Sequence, residues 1–340
     1  RHRRIGAVAD QLDMFGAPEA ARPKLVGPTA HDDALVDLGR RLPKGMRLGT
    51  SSWSFSGWKG IVYGEDASTQ KLSREGLVAY AQHPLLRTVG VDRSFYGPVS
   101  AEELARYADQ VPEDFRFLVK AHAECTMARF GHDRRWGDRA GKANERFLNP
   151  DYARELCVDP FVEGLGAKGG VLLFQFTPQA LAPMGGVDGF PDRLYDFFDQ
   201  LPRLPHEAVY AVEIRNAPLF TPRYLDALTD LEVEHCLNAL PGMPTISEQF
   251  NLRQARKGAQ GSAESGALVT RWMLNRRHDY QSAKQRYEPF DTLVEEDHDT
   301  RAQVGKALLE SRVPSYTVVN NKAEGSSPLS IRRLVESILG

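Results

Sequence analysis

The chain has 340 residues, 41% of them hydrophobic, enough for one large domain or two ordinary ones with a sizeable core. Its formal charge of -2 excludes a wholesale electrostatic grip on nucleic acid and leaves only local basic patches such as "RLPKGMR" and "HDRRWGDRAGK". Cys125, Cys157 and Cys236 stand far apart with no C-x-x-C pair, which argues against a disulfide framework or a zinc ribbon and for a reducing cytoplasm.

In chain order, residues 1–45 read as an N-terminal extension, rich in Ala, Pro, Gly and charge and without a long apolar period from which to build a core. No apolar run reaches the roughly 20 residues that span a bilayer, so no membrane partner is expected. The start lacks the long apolar region of a secretory signal, and its first residue is not Met, so the native N-terminus is expected upstream.

From residue 46 onward, short apolar or β-branched runs alternate with longer amphipathic segments. Eight strands are predicted: "MRLGTSSW", "RTVGVDRSF", "FRFLVKAH", "GGVLLFQF", "VYAVEIRN", "EHCLNAL", "ALVTRWM" and "SYTVVNN". Helices are predicted between them, among them "SAEELARYADQV", "PDYARELCVDPFVEGLG", "TPRYLDALTDL" and the closing "SPLSIRRLVESIL". Ser100 with Glu103 fits a capping box, and Thr221-Pro222 and Ser327-Pro328 place an N-cap before a proline. Eight strand-helix units over residues 46–340 predict an α/β fold of the (β/α)8 TIM-barrel type as a single domain. An open doubly wound sheet is the alternative, but no Gly-rich phosphate fingerprint follows the first strand.

In such a barrel the site lies at the C-terminal strand ends, where side chains of one parity point inward. That rule selects Trp53 with Trp58, then Asp92 and Ser94 with Phe95 and Tyr96, Lys120 and His122, Gln175, Glu213 and Arg215 with Asn216. Asn238, Arg271, Asn320 and Asn321 follow, with Tyr280 and Tyr287 in the loop after the seventh strand. A polar rim on apolar strands suggests function, because buried polar groups need partners and buried charges are costly. Glu213 with Arg215 reads equally as a structural ion pair, and Trp53, Phe95 and Tyr96 equally as wall packing. Cys125 carries no signal of an activated thiolate.

These strand ends also carry a resemblance. "LGTSSWSFSGWKGIVYG", "RTVGVDRSFYGPVSAEELARYADQVPEDFRFLVKAH", "LGAKGGVLLFQFTPQ", "YAVEIRN" and "VVNN" resemble the YecE-like family, also known as domain of unknown function 72, from about residue 47 to the end. The resemblance implies a TIM-barrel-like fold and supplies no reaction. The family pattern is matched at Trp53, Trp58, Tyr63, Phe95, Tyr96, Lys120, Gln175, Glu213, Arg215, Arg271, Asn320 and Asn321. It is departed from at Gly90, where a glutamate is usual, at Asn216 and Met273, where histidines are usual, and at Leu219 in place of a tryptophan.

The residues favour an anion pocket: Lys120, Arg215 and Arg271 as binding groups for phosphate or carboxylate, with Asp92, His122 or Glu213 transferring protons. Trp53, Trp58, Tyr96, Gln175, Asn320 and Asn321 complete the expected binding surface. Lys120 could instead form a Schiff base, and Asp92 with Glu213 could serve as a glycosidase carboxylate pair. His122 is the one histidine well placed at a strand end, which argues against a multi-zinc nuclease. The sequence names no cofactor and no metal.

One stretch of the extension stands apart. Gln11-Leu12-Asp13-Met14-Phe15 resembles the bacterial sliding-clamp-binding motif, in which apolar anchors enter a preformed groove and the glutamine makes directional hydrogen bonds. The resemblance implies recruitment to DNA replication or repair, and thus an anionic small-molecule or nucleic-acid-derived substrate. The plainer alternative is a short amphipathic helix laid under the barrel. If the barrel has lost catalysis, the chain is a binding module acting through this tail.

Overall fold

The computed structural model describes residues 26–132 and 134–340. All eight predicted strands are present: β1 (Met46–Thr50), β2 (Leu86–Val91), β3 (Arg116–Lys120), β4 (Gly169–Phe176), β5 (Val209–Ile214), β6 (Glu234–Ala239), β7 (Leu268–Trp272) and β8 (Ser315–Val319). Each pairs in parallel with the next, and β8 returns to β1, so the sheet is a closed (β/α)8 barrel. The open doubly wound alternative is thereby excluded.

Both faces of these strands are buried, which is why they read as near-continuous apolar runs. Alternation sorts their side chains into two cores. Leu118, Val171, Leu173, Ala211, Cys236 and Val269 fill the barrel interior, while Leu48, Phe117, Leu172, Phe174, Val212 and Leu237 pack outward against the helices. On β2 the register slips: Leu48 faces Leu86, but Gly49 faces Thr88. After the slip Val89 and Val91 join Leu86 in the outer core, so Gly90 and Asp92 take the inner face. Glycine is required where the two strands close up, since a Cβ on Gly49 would lie 1.8 Å from the Thr88 carbonyl oxygen.

The predicted helices appear with local differences. Ser100 caps Ala101–Ala108 by accepting from the Glu103 amide at 3.3 Å, but the Glu103 carboxylate accepts from the Tyr107 hydroxyl and pairs with Arg93. The complete capping box is Thr245 with Glu248, heading Ile246–Ala259. Thr221 caps Pro222–Asp230 as expected, whereas the last helix, Ser327–Leu339, has Ser326 at its N-cap. Segment 150–166, expected as one helix, is interrupted by a π turn over Arg154–Val158. Pro160 follows that turn without an amide to donate back, which accounts for the broken ladder.

The larger difference lies before β1. Helix Asp33–Arg41 is capped by the Asp32 carboxylate, which accepts from the Leu35 amide at 2.7 Å, and it buries Leu35 and Leu38. Asp32 also pairs with Arg332 of the last helix at 2.9 Å. Residues 26–45 therefore contribute to the barrel's outer packing, although the sequence assigns them to an extension. Three leucines, Leu35, Leu38 and Leu42, do this, too few to make a long period. Gln11 to Phe15 lie outside the described residues. Among the described residues no helix is long and apolar enough to cross a membrane.

Candidate active site at the barrel mouth

The barrel brings Asp92, Lys120, Gln175, Glu213, Arg215 and Arg271 together at the C-terminal strand ends. Lys120 ends β3, Gln175 faces Glu213 across β4 and β5, Arg271 lies in β7, and Asp92 and Arg215 immediately follow β2 and β5. Arg271 is the hub. Fully buried, it donates from Nη1 to Gln175 Oε1 at 2.9 Å and to Glu213 Oε2, and from Nη2 to both Asp92 oxygens at 3.4 Å. Arg215 takes the remaining Glu213 oxygen through Nε at 2.7 Å and reaches Gln175 Oε1 from Nη2 at 2.9 Å. Lys120 Nζ stands 3.0 Å from Asp92 Oδ2 and 5.4 Å from the Phe95 ring centroid.

Burial and charge set the protonation states. Burial alone pushes the Glu213 carboxyl up, but Arg215, Arg271 and Lys120 overcome it and bring it down to about 2. Lys120 moves the other way from its usual range, to about 8, chiefly through burial and then through Arg271, with Asp92 opposing. Burial works against the Arg271 charge too, yet Glu213 and Asp92 hold it above the ordinary guanidinium value. Glu213 is thus fixed as an anion, while Lys120 sits where a proton can be gained or lost near neutral pH.

Other predicted residues are placed elsewhere. His122 turns aside: its Nδ1 lies 2.7 Å from the Tyr152 hydroxyl and its amide donates to Cys157 Sγ at 3.3 Å. Burial lowers its pKa, and its charged neighbours are Glu124, Arg146 and Arg139. Trp53 donates its indole N–H to the Leu72 carbonyl and packs edge-on against Tyr107, in the outer core. Trp58 is fully buried beside Phe55 and Tyr80. Tyr96 is 73% exposed, edge-on to Phe95. Asn320 donates to Ser51 Oγ at 2.8 Å at the rim, but Asn321 accepts from the Ser327 amide and hydroxyl and so ties β8 to the last helix. Asn216 bonds the Gln179 backbone in both directions.

Sequence reasoning missed Lys322. It follows Asn320 by two positions, beyond the end of β8 and inside the turn Asn321–Ala323, where strand parity no longer applies. Its backbone carbonyl accepts from the Asn275 amide, its ammonium lies 4.2 Å from the Tyr280 ring centroid, and its side chain is buried. Among the described residues no group of three or more His, Cys, Asp or Glu side chains is placed to hold a metal.

Comparison with solved structures returns the same architecture. A DUF72 family protein from Enterococcus faecalis superposes with a TM-score of 0.54 at 18% identity, over 86% of this chain and 95% of that one. Another, from Thermotoga maritima, gives 0.51 at 18% identity, over 87% and 99%. At these identities the likeness establishes the fold alone. No curated protein matches the sequence. The model of the family described as "Protein of unknown function DUF72" matches residues 47–339, from the first strand to the last helix, and the chain belongs to that family.

Proposed function

We propose that the barrel mouth binds a phosphate- or carboxylate-bearing substrate and acts on it by proton transfer through Lys120, which Asp92 holds in place. The observation that carries this reading is charge balance: three cations, Lys120, Arg215 and Arg271, face two carboxylates, Asp92 and Glu213, leaving one positive charge without a counterpart in that cluster. A buried surplus charge is costly unless something completes it, and an anion would. Glu213 holds both guanidiniums in place. Arg215, with a side chain 21% exposed, presents the accessible donor face. Lys120, lowered to about 8 and 3.0 Å from Asp92, is mostly the cation at neutral pH and can pass its proton to the bound substrate as a general acid, with a minor neutral fraction. The same neutral fraction would permit a Schiff base with a carbonyl substrate.

The carboxylate-pair glycosidase reading is weaker here. Glu213, drawn down to about 2, cannot be the acid, and with both its oxygens engaged it makes a poor nucleophile. The other member of the pair, Asp92, is held between Lys120 and Arg271. The test is calorimetric titration of the full-length chain with inorganic phosphate. Arg215→Ala should weaken binding about 10- to 100-fold, the worth of one charge-assisted hydrogen bond. Unchanged affinity would overturn the pocket. Tight binding without turnover of any phosphorylated substrate would favour a non-catalytic module.

The proposal includes recruitment by a bacterial sliding clamp, supported by the five-residue match at Gln11 to Phe15. The substrate would then be a nucleotide or a nucleic-acid-derived phosphate. A clamp-binding assay checks this: affinity lost in a Leu12→Ala/Phe15→Ala double variant supports it, and no affinity in the intact chain removes it.

A further inference from the structure

The charged group at the mouth that the cluster above does not use is Lys322. Its side chain is buried, and among the described residues it forms no ion pair. The polar contact of its side chain is local: the ammonium reaches Asn320 Oδ1 only at 3.5 Å, an oxygen to which the Lys322 amide also donates at 3.0 Å. The rest of its surroundings are aromatic, with the Tyr280 ring centroid at 4.2 Å and that of Phe290 at 5.6 Å. Asn320 is itself held by Ser51 at 2.8 Å, so the oxygen cannot swing closer without breaking that bond. A buried lysine without a carboxylate is uncommon, because two aromatic faces recover only part of its hydration energy.

Its position joins it to the mouth. Lys322 follows β8 at the C-terminal strand ends, next but one to Asn320, which bonds Ser51 at the end of β1. Burial and then Lys284 lower its pKa to about 8, against Glu288 and lastly Asp92. Asp92 therefore lies within the field of Lys120, Arg271 and Lys322 at once. Tyr280, whose ring centroid lies 4.2 Å from the ammonium, is 58% exposed, so the aromatic cover itself meets solvent. Counting Lys322, and setting Lys284 against Glu288 at 3.6 Å, four cations at the mouth stand against Asp92 and Glu213, a surplus of two positive charges that one monoanion does not balance.

We propose that Lys322 is a second anion contact and that the mouth therefore takes a ligand bearing two anionic groups, one on Lys120, Arg215 and Arg271 and the other on Lys322. This rests on the anion-pocket reading above and adds the ligand's valence to it. Pyrophosphate is the simplest probe with two linked anionic groups, and orthophosphate is the single-group reference.

Calorimetric titration of the full-length chain with both anions tests it. The wild-type chain is expected to prefer pyrophosphate by about 10-fold or more, the range of one charge-assisted contact, and Lys322→Met to abolish that preference while Lys322→Arg retains it. Equal affinities in the wild-type chain, or a preference that survives Lys322→Met, would overturn the second contact while leaving the first pocket standing. Absence of orthophosphate and pyrophosphate binding would overturn both. A measurement on the wild-type chain guards against a misfolded variant: pyrophosphate should protect Lys322 from amine acetylation, read by mass spectrometry of its peptide, and orthophosphate should not. Equal protection by the two anions would overturn the proposal.

Discussion

The two ends of the barrel bury similar ion networks and treat them differently. At the floor, Glu234 at the start of β6 pairs with Arg253 at 2.6 Å and Lys257 at 2.8 Å. The surplus cation there is absorbed by backbone: Arg253 donates to the Ala267 carbonyl, Lys257 to that of Ser265, and the Ala267 amide completes Glu234. At the mouth, the cations of Lys120 and Lys322 receive no such carbonyl ring. A groove of about 450 Å³ lies at the floor, lined in part by Tyr195, Arg203, Tyr210 and Lys257, yet its buried carboxylate is already saturated. Each network leaves one buried guanidinium nitrogen without a partner, Arg253 Nε at the floor and Arg271 Nε at the mouth, so the two ends differ in the pairing of their lysines and not of their arginines.

The comparison breaks most visibly at Glu234. Glu234→Ala leaves Arg253 and Lys257 buried without their anion, and should cost about 3–5 kcal/mol in urea unfolding. A loss under about 1 kcal/mol would mean that the floor network is not closed.

At the mouth, acid should expose Glu213. Its folded pKa of about 2 lies below the ordinary 4.5, so its contribution to stability is complete above about 4.5 and disappears as pH falls toward 2. The size is on the order of 3 kcal/mol. Glu213→Gln should flatten that part of the pH–stability curve, and an unaltered slope would show that the arginines do not hold the anion.

A smaller effect is expected at alkaline pH. Lys120 is lowered in the fold from 10.5 to about 8, so between those values the unfolded chain binds the proton more tightly and stability rises with pH. Lys322 adds a rise of the same sign. Lys120→Met should make the rise shallower, and acylation of Lys120 in the wild-type chain should titrate near pH 8. Titration above 10 would remove its candidacy as a proton-transfer group.

The smallest effect concerns the floor again. If Gln11 to Phe15 serve as a clamp peptide, Leu12→Ala/Phe15→Ala should shift stability by less than about 0.5 kcal/mol. A loss of about 2 kcal/mol or more would instead favour the apolar segment packed under the barrel.

Much of the barrel was legible because parallel strands buried on both faces leave a strong mark: every strand from "MRLGTSSW" to "SYTVVNN" was recognisable. The mouth was legible as far as parity holds, which gave Asp92, Lys120, Gln175, Glu213, Arg215 and Arg271. It failed where the chain leaves the strand. Past Lys120 the backbone turns, so His122 faces Tyr152 and Cys157 instead of Lys120's neighbours. Past Asn320 it turns again, and Asn321 goes to the last helix while Lys322 comes to the rim. The Asp33–Arg41 helix escaped because its burial depends on the last helix, a contact that no local window contains.

Gly90 carries a consequence for anyone who would redesign this barrel from its relatives. Where the family resemblance expects a glutamate, a Cβ would meet the Ser51 oxygen, Cα and carbonyl carbon at 3.1–3.3 Å. These are backbone atoms of a residue that Val319 and Asn320 hold from the other side. Gly90→Glu therefore asks the Ser51 backbone to give by a few tenths of an ångström, against the bonds that tie it to β8. The room for a side chain at position 90 is thus set by how far β8 lets the end of β1 move, so a graft of a relative's acid into this mouth has to be judged at Ser51, Val319 and Asn320 as well as at position 90.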